Sequence, residues 1–104
     1  MIKDQILNFL GLAMRAGKVK SGESVILNDI KTKKIKLVIV ATDASENTFK
    51  VMKDKCKSNH IPIRCFGTRA DLGGALGKGE RVNIVVTDNG FAKKLLSMID
   101  EYRK

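Results

Sequence analysis

The sequence predicts an α/β fold: a three-layer α/β/α sandwich around a four-stranded, largely parallel sheet. Three observations predict it. Short β-branched, apolar runs at 35–41, 63–66 and 82–87 alternate with segments whose apolar residues recur at helical spacing. Two of these runs, 35–41 and 82–87, are apolar on nearly consecutive positions, as strands buried on both faces are. Strands alternating with helices favour right-handed crossovers between parallel neighbours.

The first helix covers residues 2–15, where Ile6, Leu7, Leu10, Ala13 and Met14 fall on one face and Gly17 suits the C-terminal cap. Val19-Lys20-Ser21 reads as a short extended piece. Ser21-Gly22 then opens a second helix to about Lys33, with Val25, Ile26 and Ile30 inward. Ile35–Ala41 is a buried strand whose only interior charge is Lys36. Asp43 or Ser45 opens the next helix, with Phe49, Met52 and Cys56 inward and Lys50, Lys53 and Lys57 outward. Pro62 leads into a strand at Ile63–Phe66, and a short helix at Arg69–Leu76 runs into Gly73-Gly74-Ala75-Leu76-Gly77-Lys78-Gly79. Val82–Thr87 is a further strand. Asp88-Asn89-Gly90 leads into a last helix with Phe91, Leu95, Met98, Ile99 and Tyr102 on one stripe.

The length, 104 residues, fits one domain over 1–104, and 43% hydrophobic residues without Trp predict an aliphatic core. No apolar run approaches the roughly 18 residues of a membrane span. The start, Met1-Ile2-Lys3-Asp4-Gln5, is unlike a signal peptide. Cys56 and Cys65 lack CxxC spacing, so a reducing cytoplasm and a monomer without cofactor are the expectation.

Charge points to a polyanionic partner. Twenty Lys+Arg against eleven Asp+Glu give +9, an excess that favours nucleic acid. From Arg15 to Lys36, seven bases face two acids, so 22 residues hold +5 and the other 82 only +4. Concentrated charge is what a binding face shows. Within it, Lys18-Val19-Lys20-Ser21-Gly22-Glu23-Ser24 joins two cations to a helix N-terminus, whose free N–H groups suit phosphate oxygens or base acceptors. Lys31, Lys33 and Lys34 lie at the far end of that helix. Complementing its dipole and contacting RNA are both open to them.

Other chemistries fit less well. Gly73–Gly79 ends a helix and precedes a strand, and Glu80 follows Gly79 where a phosphate loop needs Lys-Ser/Thr. It is better read as a flexible loop that lets another backbone or a base come close. His60, the only histidine, sits at a turn, and with Cys56 and Cys65 it makes no zinc pattern. No orienting group accompanies either thiol, so no Cys–His catalysis is expected. Phe9, Phe49, Phe66 and Phe91 fall on apolar stripes or strands, which removes a base-stacking sheet face. The expected protein is not an enzyme.

Along nearly its whole length the sequence resembles the kink-turn-binding ribosomal proteins of the L7Ae/L30e group. The resemblance rests on Gly17-Lys18-Val19-x-x-Gly22, Lys36-Leu37-Val38-Ile39-Val40-Ala41-x-Asp43, Ile61-Pro62, Leu72-Gly73-x-Ala75-x-Gly77 and the Val82–Val86 strand, in that order. Leu10-Gly11-Leu12-Ala13-x-Arg15-Ala16-Gly17-Lys18 and Val86-Thr87-Asp88-x-Gly90-Phe91-Ala92 resemble its stand-alone bacterial, YlxQ-like branch. The resemblance implies a mixed sheet within the sandwich and a ribonucleoprotein role. The RNA it implies is sharply bent, with flanking sheared G·A pairs, in ribosomal or other non-coding RNA. Carried over, Gly22, Glu23 and Ser24, with Asn28 one turn on, form the helix tip that reads guanine edges. Gly79, Glu80, Arg81 and Val82 form the loop that closes over an extruded nucleotide, and Lys18, Lys20 and Asp43 lie on the rim.

One departure stands out. The family's better-known members carry an Asn-Glu pair two and three residues after the glycine and a Lys one turn on; here those positions are Ser24, Val25 and Asn28. Val25 cannot accept a hydrogen bond from a base. The departure motivates a second expectation, a protein-interaction or assembly module of the same fold with weak or non-specific RNA binding.

Overall fold

The structure, a computed structural model, describes residues 2–21 and 34–103. In chain order these form α1 (Ile2–Arg15), β1 (Val19–Ser21), β2 (Leu37–Val40), α2 (Glu46–Ser58), β3 (Ile63–Cys65), α3 (Arg69–Ala75), β4 (Asn83–Val86) and α4 (Asn89–Tyr102). The second helix expected at 22–33, with Val25, Ile26 and Ile30, lies outside the described residues, as do Gly22, Glu23, Ser24, Asn28 and Lys31.

Local chemistry explains the helix limits. At the end of α1, Gly17 takes φ +74°, its N–H donates to the Met14 carbonyl and that of Lys18 to Ala13; this satisfies carbonyls the helix leaves open. Ser45 caps α2 by accepting from the Thr48 N–H. Thr68 and Asp71 form a reciprocal capping box at α3, and Asp88 accepts from the Phe91 N–H at α4. Asp43, expected as an alternative cap of α2, instead serves α3: its Oδ1 accepts from the Arg69 N–H at 2.9 Å.

The sheet order is β1-β4-β2-β3. Side chains alternate across it, as the period of two requires. Leu37, Ile39, Ile84 and Val86 join α1, α3 and α4 in one cluster through Ile6, Leu10, Leu72, Leu95 and Ile99. Val38, Val40 and Val85 join Met52 and Cys56 of α2 on the other face. Every residue of β2 and β4 is buried, which is why β2 reads as an unbroken apolar run and β4 as one after its first residue, the buried Asn83. In α4, Ala92, Leu95 and Ile99 are buried, Phe91 and Met98 are partly buried against the same cluster, and Tyr102 is exposed with its ring edge-on to Phe66. The Cys56 thiol is buried in α2, and Cys65 is half-buried.

The sheet is mixed, as the resemblance implied, but the expectation of a largely parallel one is corrected. Among the described residues, only β2 and β3 are parallel; β4 is antiparallel to both neighbours. The reason lies in how far each connection travels. The 13 residues of α2 span about 20 Å, enough to return the chain to the start of the sheet. The seven of α3 span about 10 Å, and the Arg81 N–H bonds back to the Arg69 carbonyl at the helix start. The chain therefore stays at the end where β2 and β3 finish: Val40 is level with Cys65 on one side and with Asn83, the first residue of β4, on the other. From there β4 can only run back.

Candidate nucleic-acid interface

Three loops converge at that end of the sheet. The Thr42 N–H and hydroxyl both donate to the Gly67 carbonyl, at 2.7 and 3.1 Å, joining the loop after β2 to the one after β3. The Ala41 N–H donates to the Val82 carbonyl at 2.8 Å, joining the loop before β4. Asp43 then reaches α3 twice, through the Arg69 backbone and through the Arg69 Nε at 3.5 Å.

Arg81 organises the loop before β4. Its Nη1 donates to the carbonyls of Gly79 at 3.1 Å and Glu80 at 2.8 Å, and its Nε donates to the Ser21 hydroxyl at 3.2 Å. A guanidinium presents its donors in a fixed plane, so this one side chain sets the curvature of 79–81 and fastens it to the end of β1. Beneath the loop, Gly73 leaves the space that the Gly79–Glu80 backbone occupies, and the Lys78 N–H closes onto the Gly73 carbonyl at 2.8 Å. Gly77 makes the reversal with φ +71°. The glycine-rich segment admits a second backbone, as expected, but as a fitted turn held by hydrogen bonds where a flexible loop was expected.

The structure brings some of the expected site residues together and not others. Ser21, Asp43, Gly79, Glu80, Arg81 and Val82 share this one end. Lys20 pairs with Val85 in mid-strand and is exposed. Lys18 does not join them: its carbonyl accepts from the N–H and hydroxyl of Thr87, beyond the opposite end of β1. Three strand residues separate it from the loops, about 10 Å. Arg69 was missed in the sequence; its place two residues before Asp71 of a capping box marks a helix start, not a contact with Asp43. Gly22, Glu23, Ser24, Asn28 and Lys31 lie outside the described residues, and Gly22 directly follows Ser21 in the chain.

The ionisable groups elsewhere favour scaffolding over catalysis. Burial pushes the Cys56 thiol up to about 11. Burial also raises Cys65, against a smaller lowering by Arg103. Neither is poised as a thiolate at neutral pH. Asp71 is held below the usual carboxylate range, first by the Thr68 N–H and then by the Lys3 ammonium 2.9 Å away. His60 takes φ +57° at the turn after α2 and is exposed.

Residues 4–96 match the pattern of the ribosomal protein L7Ae/L30e/S12e/Gadd45 family. The chain is 47% identical over 91 residues to the RNA-binding protein YlxQ of Bacillus subtilis, covering 88% of this chain and 91% of that one. It is 43% identical over 98 residues to the RNA-binding protein YlxQ of Enterococcus faecium, covering 94% of each. Among solved structures, a Bacillus halodurans protein of unknown function superposes with a TM-score of 0.89 at 43% identity, covering 91% of this chain and 96% of that one. The Giardia lamblia 15.5kD RNA binding protein shares the fold, with a TM-score of 0.76 at 17% identity, covering 96% and 86%.

Proposed function

The chain belongs to the ribosomal protein L7Ae/L30e/S12e/Gadd45 family, and on that premise we propose that it is a non-enzymatic protein that binds structured RNA bent like a kink-turn. The observation that carries this reading is the identity to two proteins named as RNA-binding over nearly the full length of both chains. The net charge of +9 suits a phosphate backbone. The candidate tip residues, Gly22, Glu23 and Ser24 with Asn28, follow Ser21 in the chain, and Ser21 is bonded to Arg81 of the loop Gly79, Glu80, Arg81 and Val82.

In this reading Arg81 acts chiefly by shape, holding the loop against Ser21 so that the two parts of the interface keep one spacing. Lys20 and Lys31 supply phosphate contacts, and Asp43 keeps α3 in place beneath the loop. Lys18, at the other end of β1, meets phosphates away from the bend. Ribosomal or other non-coding RNA is the target class, and the whole chain, 1–104, acts as one monomeric, cytoplasmic domain.

The test is a mobility-shift titration of a kink-turn RNA against a straightened duplex of the same composition. Preference for the bent RNA is expected, falling with salt by a log–log slope of about 0.7–0.9 per neutralised phosphate. Gly22→Leu should remove the preference while leaving salt-dependent binding. Equal affinity of the unaltered protein for both RNAs would sink the reading. That result would favour the assembly module, which the Ser24, Val25 and Asn28 departure supports.

A further inference from the structure

A groove of about 350 Å3 lies between α1 and α4. Phe9, Leu12 and Met98 make its apolar floor, Arg15 and Lys94 stand on its rim, and the remaining lining residues are uncharged amides. Leu12 is 47% exposed, although it sits well inside α1. The Phe9 ring is held against Phe91 with centroids 5.2 Å apart, so the floor is already formed. Neither Arg15 nor Lys94 pairs with an acid among the described residues, and no acid lines the groove.

We propose that this groove docks an acidic amphipathic helix of a partner protein, which inserts one or two apolar side chains over Leu12 and sets carboxylates against Arg15 and Lys94. The charge argument selects the occupant. A second copy in a two-fold interface would bring the same cations against themselves, which is repulsive. RNA would satisfy the cations, but Leu12 and Met98 are aliphatic and the one ring of the floor, Phe9, is already packed against Phe91, so little stacking surface is offered to bases. An amphipathic helix with acidic flanks satisfies both parts at once.

The groove also lies apart from the RNA-facing loops. Arg15 ends α1 just before Val19, which pairs with Val86 at the end of β1 remote from Ser21. Lys18, at this end of β1, reaches only phosphates away from the bend, so the loops that read the bend and the groove can be occupied together; this goes beyond RNA binding and makes the protein an adaptor.

The test uses the full chain and a synthetic, fluorescein-labelled helical peptide of about 14 residues, with Leu at one-turn spacing and Glu on the flanks. A control peptide carries Lys in place of Glu. Anisotropy should show saturable binding of the acidic peptide alone, and amide shifts in the 15N-labelled protein should cluster at Phe9, Leu12 and Met98. Leu12→Ser, at an exposed position, should weaken binding about tenfold, the loss typical of an anchor contact. Lys94→Glu should weaken the acidic peptide and recruit the lysine peptide. Kink-turn RNA at saturation should leave peptide affinity within about twofold, since additivity is expected of separate sites.

No saturable binding overturns the proposal, as does binding indifferent to Leu12→Ser and Lys94→Glu. Displacement by RNA overturns it too, by making the groove an RNA contact. A dimer in sedimentation equilibrium that Leu12→Ser dissociates would assign the groove to a second copy instead. Failure of RNA binding with the peptide result intact leaves the groove standing, so the two readings fall separately.

Discussion

Gly73 of α3 lies against the backbone of Gly79: a β-carbon built on Gly73 would stand 2.6 Å from the Gly79 carbonyl carbon and 3.0 Å from the Glu80 Cα. Real β-carbons do not approach backbone so closely, so a side chain at 73 must push the loop away. Gly74, next in the helix, faces open space. Gly73→Ala should therefore cost about 1–3 kcal/mol, the usual range for overpacking. Gly74→Ala should gain about 0.5–1 kcal/mol by restricting the unfolded chain. Urea denaturation of the two variants checks the contrast; equal effects would mean that the loop does not rest on Gly73.

Arg81 tests whether the loop's shape or its charge serves RNA. Arg81→Lys keeps the cation but cannot reproduce the planar set of bonds to Gly79, Glu80 and Ser21. Affinity for a kink-turn RNA should drop by about threefold to tenfold while the salt slope stays within about one phosphate's worth of the original. A variant with unaltered affinity would reduce Arg81 to a point charge.

Asp71 ties three elements of the acid-side behaviour together: the α3 cap, Lys3 of α1 and the loop before α3. Its carboxyl is held below the ordinary value of 3.8 and Lys3 is raised above 10.5. The carboxylate's contribution is thus present above about pH 4 and fades as pH falls through the lowered value. Asp71→Asn should flatten the acid limb of a stability-against-pH curve and leave the neutral region nearly as steep as before. An unchanged acid limb would show that other carboxylates govern it.

The buried Cys56 should resist alkylation. With its thiol raised to about 11 from 9.0, the folded state disfavours the thiolate that reagents attack. Iodoacetamide at pH 8 should modify Cys65 first, and Cys56 at a rate set by unfolding. The same shift makes stability fall as pH rises from about 9 towards 11, because the unfolded chain loses that proton first. Cys56→Ala should remove this alkaline component; fast modification of Cys56 in the folded protein would contradict its burial.

Much of the fold could be read from short stretches of chain. The limits of α1 follow from apolar spacing and Gly17, and those of α4 from Asp88. The solid apolar run of β2 and that of Ile84–Val86 in β4 reflect cover on both faces. In the candidate site, the close backbone approach at Gly73–Gly79 was readable from its glycines and its position between a helix and a strand, but not the bonds that fit it as a turn. The partnership of Asp43 was not, because Asp43 and Ser45 both look like caps when only nearby residues are considered.

What the sequence determined by itself is the helices and strands of the described residues, since periodicity and caps act over a few residues, along with the positive charge around β1. What only the tertiary structure decided is direction and company. β4 runs against β1 and β2 because α3 and its loops never leave one end of the sheet. Arg81 meets Ser21 across 60 positions, Arg69 meets Asp43, and Lys18 is left at the other end of β1. These outcomes depend on how far each connection travels through space, a quantity that the spacing of residues along one segment does not contain.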